Sequence, residues 1–173
     1  VMQNLGVAMV GGHGKRRKDD FYPTPPEATR ALLPLIAHWP LHVWEPCCGD
    51  GAISRVLERE GNFTVHSTDL VDRGYGTGGH DFFKAEASIA ETIVTNPPFK
   101  PAAEFILHAA DLGIVRMALL LKMTFWNAAT RIKIWNWWQP TAIHPLTWRL
   151  DFDGRGAPTM DCMWCLWEPG AKD

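Results

Sequence analysis

Two spacings of apolar residues alternate along this chain, one helical and one extended. Ile53, Val56 and Leu57 share one face of a segment from Ala52 to Glu60, and Gly61 supplies a stop. A second helix is expected from Pro101, carrying Phe105, Ile106, Ala109 and Leu112 to a stop at Gly113. A third spans Ala128 to Trp138. Thr24-Pro25-Pro26-Glu27 reads as a helix start, with Thr24 as N-cap, Pro25 at the first helical position and Glu27 closing a capping box. That helix runs toward His38, bent or interrupted by Pro34. Strands are expected at His42 to Trp44, Phe63 to Thr68, near Asp81-Phe82-Phe83, Thr92 to Thr95, Val115 to Met123, Thr141 to Leu146 and Asp161 to Glu168. Val115 to Met123 is almost continuously apolar, as a strand covered on both faces would be. Along the last strand Cys162, Trp164 and Leu166 alternate with Met163, Cys165 and Trp167. Strands alternating with helices, closed by a strand pair, predict a doubly wound α/β fold. Its sheet would be mostly parallel and seven-stranded, with an antiparallel strand.

Composition narrows the class without naming a chemistry. The 173 residues suit one domain able to bury about 70% of its unfolded surface. Residues 1–18, Gly-rich and basic at Lys15, Arg16, Arg17 and Lys18, are expected to form a flexible arm. Residues 19–173 are expected to form the domain. No apolar run reaches the 18 or so residues of a membrane span, and no signal-peptide pattern opens the chain, so a cytoplasmic protein is expected. The cysteines form two pairs, Cys47-Cys48 in a glycine loop and Cys162/Cys165 in an alternating strand. They read as reduced thiols, with no metal site expected. A net charge of −2 excludes a generic polyanion binder. The Lys15 to Lys18 cluster is either a solvated tail or an arm that grips phosphate.

Chemistry concentrates at two loops that follow predicted strands. Glu45-Pro46-Cys47-Cys48-Gly49-Asp50-Gly51 joins strand to helix, a place where backbone N–H groups and a helix N-terminus face a ligand. Ser54 stands where a dinucleotide fingerprint needs its third glycine, and Glu45 would repel a pyrophosphate while suiting an ammonium. Asp69, ending the second strand, could accept from both ribose hydroxyls or simply close a turn. Asp81 could accept from an adenine amino group or cap a turn. Asn96-Pro97-Pro98-Phe99 follows Thr92 to Thr95. The Asn96 side-chain oxygen and the Pro97 carbonyl could hold the two N–H groups of a planar amino nitrogen. The prolines fix the turn without a ladder partner. Phe99 could stack on a flat substrate, a contact worth about 1–3 kcal/mol for a base.

Together these segments resemble the Rossmann-like S-adenosylmethionine-dependent methyltransferases, specifically amino methyltransferases of the DNA adenine-N6 type. The resemblance covers about residues 19 to 168. Asp20-Phe21-Tyr22-Pro23-Thr24-Pro25 is similar to an aromatic-x-Thr-Pro segment around the methionine part of the cofactor. The Glu45 to Gly51 loop is similar to the Gly-rich motif, and Asp69 to the ribose-binding acid. Asp81-Phe82 matches the acid–aromatic pair at the cofactor adenine, and Asn96 to Phe99 the catalytic motif. Asp69 to Tyr75 and Trp164 to Glu168 resemble phage and prophage enzymes. The resemblance implies catalytic roles for Asn96, Pro97 and Phe99. It implies S-adenosylmethionine contacts from Tyr22, Thr24, Glu45, Cys47, Gly49, Gly51, Asp69, Leu70, Asp81, Phe82 and Asn96.

Within these 173 residues no stretch is expected to form the separate target-recognition region that sequence-specific members of the family usually carry. DNA is the expected partner, with adenine as target and Lys15 to Lys18, Lys100 and Lys122 as candidate phosphate contacts. Arg131 is either another such contact or an ordinary surface charge. A homodimer or a partner subunit could supply recognition. A protein glutamine-N5 or RNA adenine methyltransferase of the same fold stays open, as does a non-catalytic nucleic-acid-binding subunit. The Trp135-Asn136-Trp137-Trp138 cluster is expected to pack into the core with one tryptophan exposed.

Overall fold

A computed structural model describes residues 21–156, 158 and 160–170. Helix α1 (Pro26–Ile36) leads into strand β1 (His42–Glu45), helix α2 (Ala52–Glu60) and β2 (Thr64–Ser67). After a long loop come β3 (Thr92–Thr95), α3 (Ala102–Asp111), β4 (Arg116–Lys122), α4 (Ile132–Trp137), β5 (Ala142–Pro145) and β6 (Cys162–Trp167). The strands form a single sheet in the order β2-β1-β3-β4-β6-β5. Strands β1 to β4 are parallel, while β6 runs antiparallel to both β4 and β5.

The period-two alternation sorts side chains onto the two faces. Val43, Val94, Ala118, Leu120, Trp164 and Leu166 pack under Ala28, Leu32 and Ile36 of α1 and Ile53 and Leu57 of α2. The intervening positions Trp44, Ile93, Met117, Leu119, Met163, Cys165 and Trp167 pack against Phe105, Ile106 and Ala109 of α3 and Ile134 of α4. Burying such side chains on both faces stabilises the sheet by about 1.5–3 kcal/mol for each large apolar residue. The buried Trp164 also donates Nε1–H to the Ala28 carbonyl at 2.8 Å, which ties α1 to β6.

Three expectations change. The sheet has six strands among the described residues, because Phe82–Lys84 is a 3-10 turn and not a strand. The Asp81 side chain accepts from the Phe83 N–H, and Phe82 turns inward to stack on Phe105 at 4.0 Å. The glycine-rich loop before it folds back on β2, with Thr77 N–H donating to the Ser67 carbonyl and Asp69 N–H to the Thr77 carbonyl. Thr24 is not the cap of α1. Pro25 holds that position with no side-chain bond, and the Thr24 hydroxyl is used elsewhere. The segment before Trp138 opens with a 3-10 turn, Ala129–Arg131, and becomes α-helical only from Ile132. Pro34 sits inside α1, which continues to Ile36. Of the clustered tryptophans, Trp137 is 60% exposed while Trp135 and Trp138 are partly buried.

Candidate active site

Chain direction places the carboxyl ends of β1, β2 and β3 along one edge. Strand order reverses at β1, since α2 leads outward to β2 while β3 lies on the other side. A crevice at such a reversal is where α/β sheets take ligands. A cavity of about 480 Å³ opens there. Its wall includes Tyr22, Glu45, Cys47, Asp69, Asp81 and Asn96, so residues from five separate segments meet. Gly49, Leu70, Phe82, Pro97, Phe99, Thr24 and Lys100 also line it. Gly51 is not part of this wall, although Asp50 and Ala52 on either side of it are, and its backbone is left-handed at φ +84°. A Cβ on Gly51 would sit 2.6 Å from the Tyr75 ring, and one on Gly49 (φ +57°) 2.7 Å from the Phe21 ring. Both glycines are required by conformation and by space.

The Gly loop is braced from within, which corrects the expectation of N–H groups open to an anion. Gly49 N–H donates to Asp69 Oδ2 at 2.8 Å, and Gly51 N–H to the Cys48 carbonyl at 2.8 Å. Asp69 Oδ1 accepts from Val71 N–H at 2.8 Å. Asp69 therefore ties the loop after β1 to the loop after β2 while lining the cavity, and each of its oxygens has one further lone pair. Glu45 is 1% exposed and accepts from the Ser54 hydroxyl, which in turn meets Ser67 Oγ at 2.6 Å. Burial drives the Glu45 carboxyl well above its ordinary pKa, with Asp69 and Asp50 adding to the rise. Burial also pushes the Cys47 thiol well up and the Cys48 thiol to about 12, so neither is a thiolate nucleophile at neutral pH.

Asn96 is held through one end of its amide only. Its Nδ2 donates to Thr24 Oγ1 at 3.1 Å and to the Tyr22 carbonyl at 3.4 Å. These two acceptors fix which end of the amide is nitrogen. The other end, Oδ1, is buried and has no partner among the described residues. A buried acceptor left unpaired costs about 1–3 kcal/mol, a cost that an incoming N–H donor removes.

Aromatic rings gather at Phe99, three residues along the same turn. Phe99 lies 5.4 Å from Tyr22 and 6.5 Å from Phe152, and Lys122 Nζ sits over its ring at 4.3 Å. Phe82 is 4% exposed, whereas its neighbour Phe83 is 41% exposed on the cavity wall. The aromatic surface presented by this segment is thus mainly Phe83, one position beyond the residue singled out by sequence. Phe21, His80 and Arg73 also line the cavity without having been singled out. Phe21 had a signal, since it lies within the Asp20 to Pro25 segment; Arg73 reaches it only through the fold, at 4.1 Å from its ring. Leu70 is 62% exposed at the rim. Arg131 is held inward, donating to the Phe125 carbonyl and covering the Phe125 ring. Lys15 to Lys18 lie outside the described residues.

No family model matches the chain, and no curated protein matches it. Solved structures do. The chain is similar to a candidate RNA methyltransferase from Pyrococcus horikoshii, with TM-score 0.68 and 16% identity over 89% of this chain and 90% of that one. The fold is that of a Rossmann-like methyltransferase. Magnesium protoporphyrin IX methyltransferase from Synechocystis, crystallised with bound S-adenosylmethionine, gives a TM-score of 0.58 at 15% identity, over 83% of this chain and 79% of that one. A type I restriction–modification methyltransferase subunit from Streptococcus thermophilus gives 0.58 at 12% identity, over 86% of this chain and 44% of that subunit. This chain therefore spans less than half of that subunit. No helix among the described residues is long and apolar enough to cross a membrane.

Proposed function

We propose that this chain transfers a methyl group from S-adenosylmethionine to the exocyclic N6 amino group of adenine in DNA. The observation that carries this reading is the Asn96 amide, clamped through Nδ2 with its Oδ1 buried and unpaired. That oxygen asks for a donor, and a planar amino group brings two.

The cavity fits the cofactor. Its volume of about 480 Å³ lies within the usual range for small-molecule sites. Asp69 offers lone pairs for ribose hydroxyls, Glu45 a buried carboxyl that an ammonium brought beside it would favour in ionised form, and Asp81 with Phe83 an acid and a ring for a flat base. When bound, the sulfonium of S-adenosylmethionine supplies an activated methyl. The residues of this chain then have an alignment task. Asn96 Oδ1 accepts one N–H of the amino group and the Pro97 carbonyl accepts the other, steering the nitrogen toward tetrahedral geometry. Methyl transfer would leave positive charge on that nitrogen, beside the Asn96 oxygen and the Pro97 carbonyl, whose dipoles favour a cation there. Neutral Asn96 is no strong base, so the extra proton goes to water. A base in duplex DNA must first leave the stack, at a cost of a few kcal/mol that stacking on Phe99 partly offsets.

Tritium transfer from labelled cofactor to unmethylated DNA, followed by nucleoside analysis, tests this. Label is expected in N6-methyladenine. Label found only in N4-methylcytosine, in RNA or in a protein amide would sink the substrate assignment.

A further inference from the structure

The aromatic face needed for stacking is already crowded, and one of its neighbours is of a different kind from the others. Phe99 is met by Tyr22 at 5.4 Å, by Phe152 at 6.5 Å and by the Lys122 ammonium at 4.3 Å over the ring. Flat groups in contact lie about 3.5–4 Å apart, so a base stacked where the ammonium sits would claim the same space. The Tyr22 ring packs against the core and meets Phe152 edge-on at 5.9 Å, and Phe152 is 8% exposed. Lys122 alone ends in a water-loving head on a four-carbon stem at the carboxyl end of β4. Among the described residues no carboxylate forms an ion pair with it. The neighbour able to move aside is Lys122.

Charge gives a second reason for it to leave. Methyl transfer brings positive charge onto the acceptor nitrogen, and an ammonium kept against the same ring would oppose that development. In a nucleic acid the target base is flanked by phosphates that can receive the ammonium. A peptide glutamine offers no such anion. Resting on the reading that a nucleobase is the acceptor, we propose that Lys122 covers Phe99 in the free protein and passes its ammonium to a flanking phosphate when the base stacks. This exchange makes Lys122 a determinant of nucleic acid over peptide amide as substrate.

The test compares wild type with Lys122→Met and Lys122→Arg on a short DNA duplex, and on the same duplex with uncharged methylphosphonate linkages beside the target adenine. Melting temperature and cofactor titration establish that both variants fold. Lys122→Met is expected to raise the DNA KM about tenfold, the scale of one lost charged contact. It should also make the slope of log affinity against log salt shallower by about 0.9. Lys122→Arg should recover most of both. The neutral linkages should cost the wild type a similar factor and cost Lys122→Met little more. Equal KM and salt slope for wild type and Lys122→Met would reduce Lys122 to packing on Phe99 and overturn the proposal, while leaving the adenine assignment standing. Absence of methylation on any nucleic acid by the folded wild type would overturn both.

Discussion

Thr24 shows how much one hydroxyl does at this site. It gives up the helix cap and spends its Oγ1 on Asn96 Nδ2, so the nitrogen end of the amide is held and the oxygen end is left unpaired. Thr24→Val keeps the shape, removes that acceptor and leaves the amide free to turn. The expected outcome is a fall in kcat of about ten- to a hundredfold, larger than any change in the cofactor dissociation constant. An unchanged kcat in a folded variant would show that the Tyr22 carbonyl alone fixes Asn96. Glu45 makes a prediction about pH. Burial raises its pKa in the folded protein, so the fold holds a proton that the unfolded chain releases near the ordinary value of 4.5. Its stabilising contribution is full below that value and is lost as pH rises toward the raised folded value. Glu45→Gln escapes that loss. Its melting temperature relative to wild type should therefore climb as pH rises above the ordinary carboxyl value of 4.5. Parallel curves in thermal melts would contradict a buried, protonated Glu45.

Among the elements, the two loops after β1 and β2 behave as one unit because Asp69 joins them. Its carboxylate satisfies Gly49 N–H and Val71 N–H while lining the cavity. Asp69→Ala should consequently weaken cofactor binding and also lower folding stability by about 1–3 kcal/mol, the cost of stranding hydrogen-bond donors. Titration and urea denaturation measured together check this. Loss of binding with unchanged stability would mean that the brace contributes little. The pairing of Thr77 with Ser67 belongs to the same unit, for it returns the chain to β2 and delivers Asp81 to the cavity wall. The 3-10 turn at Phe82–Lys84 then buries one aromatic and exposes the next.

Across the whole molecule, 17 Lys and Arg are outweighed by 19 Asp and Glu, so holding a polyanion depends on where cations cluster and not on net charge. Lys100 and Lys122 stand at or beside the cavity wall, and Arg131 is engaged with Phe125. If Lys15 to Lys18 grip phosphate, deleting residues 1–18 should flatten the salt dependence of DNA binding. Each lost phosphate contact accounts for about 0.9 in slope. The DNA KM should rise and cofactor affinity should stay the same. An unaltered slope would place all the contacts on the sheet's rim or on a partner.

The sequence by itself determined the alternation of strands and helices, the two-faced apolar strands and the loops that carry Asp69 and Asn96. These rest on local periodicity, on glycine and proline backbone limits, and on residue chemistry. β4 and β6 were legible to within one residue at each end, since their apolar runs suit no other environment. Tertiary structure decided the rest. Asp81-Phe82-Phe83 reads locally as a strand, but the stacking of Phe82 on Phe105 and the Asp81 cap make it a turn. Thr24 reads locally as a cap, but Asn96, 72 residues away in sequence, claims its hydroxyl. Lys122 reads as a candidate phosphate contact at a strand end, and only the packing of β4 beside the turn after β3 brings it over Phe99. Local sequence limits which conformations each segment can adopt. Which polar groups find each other is set by contacts between segments far apart in the chain.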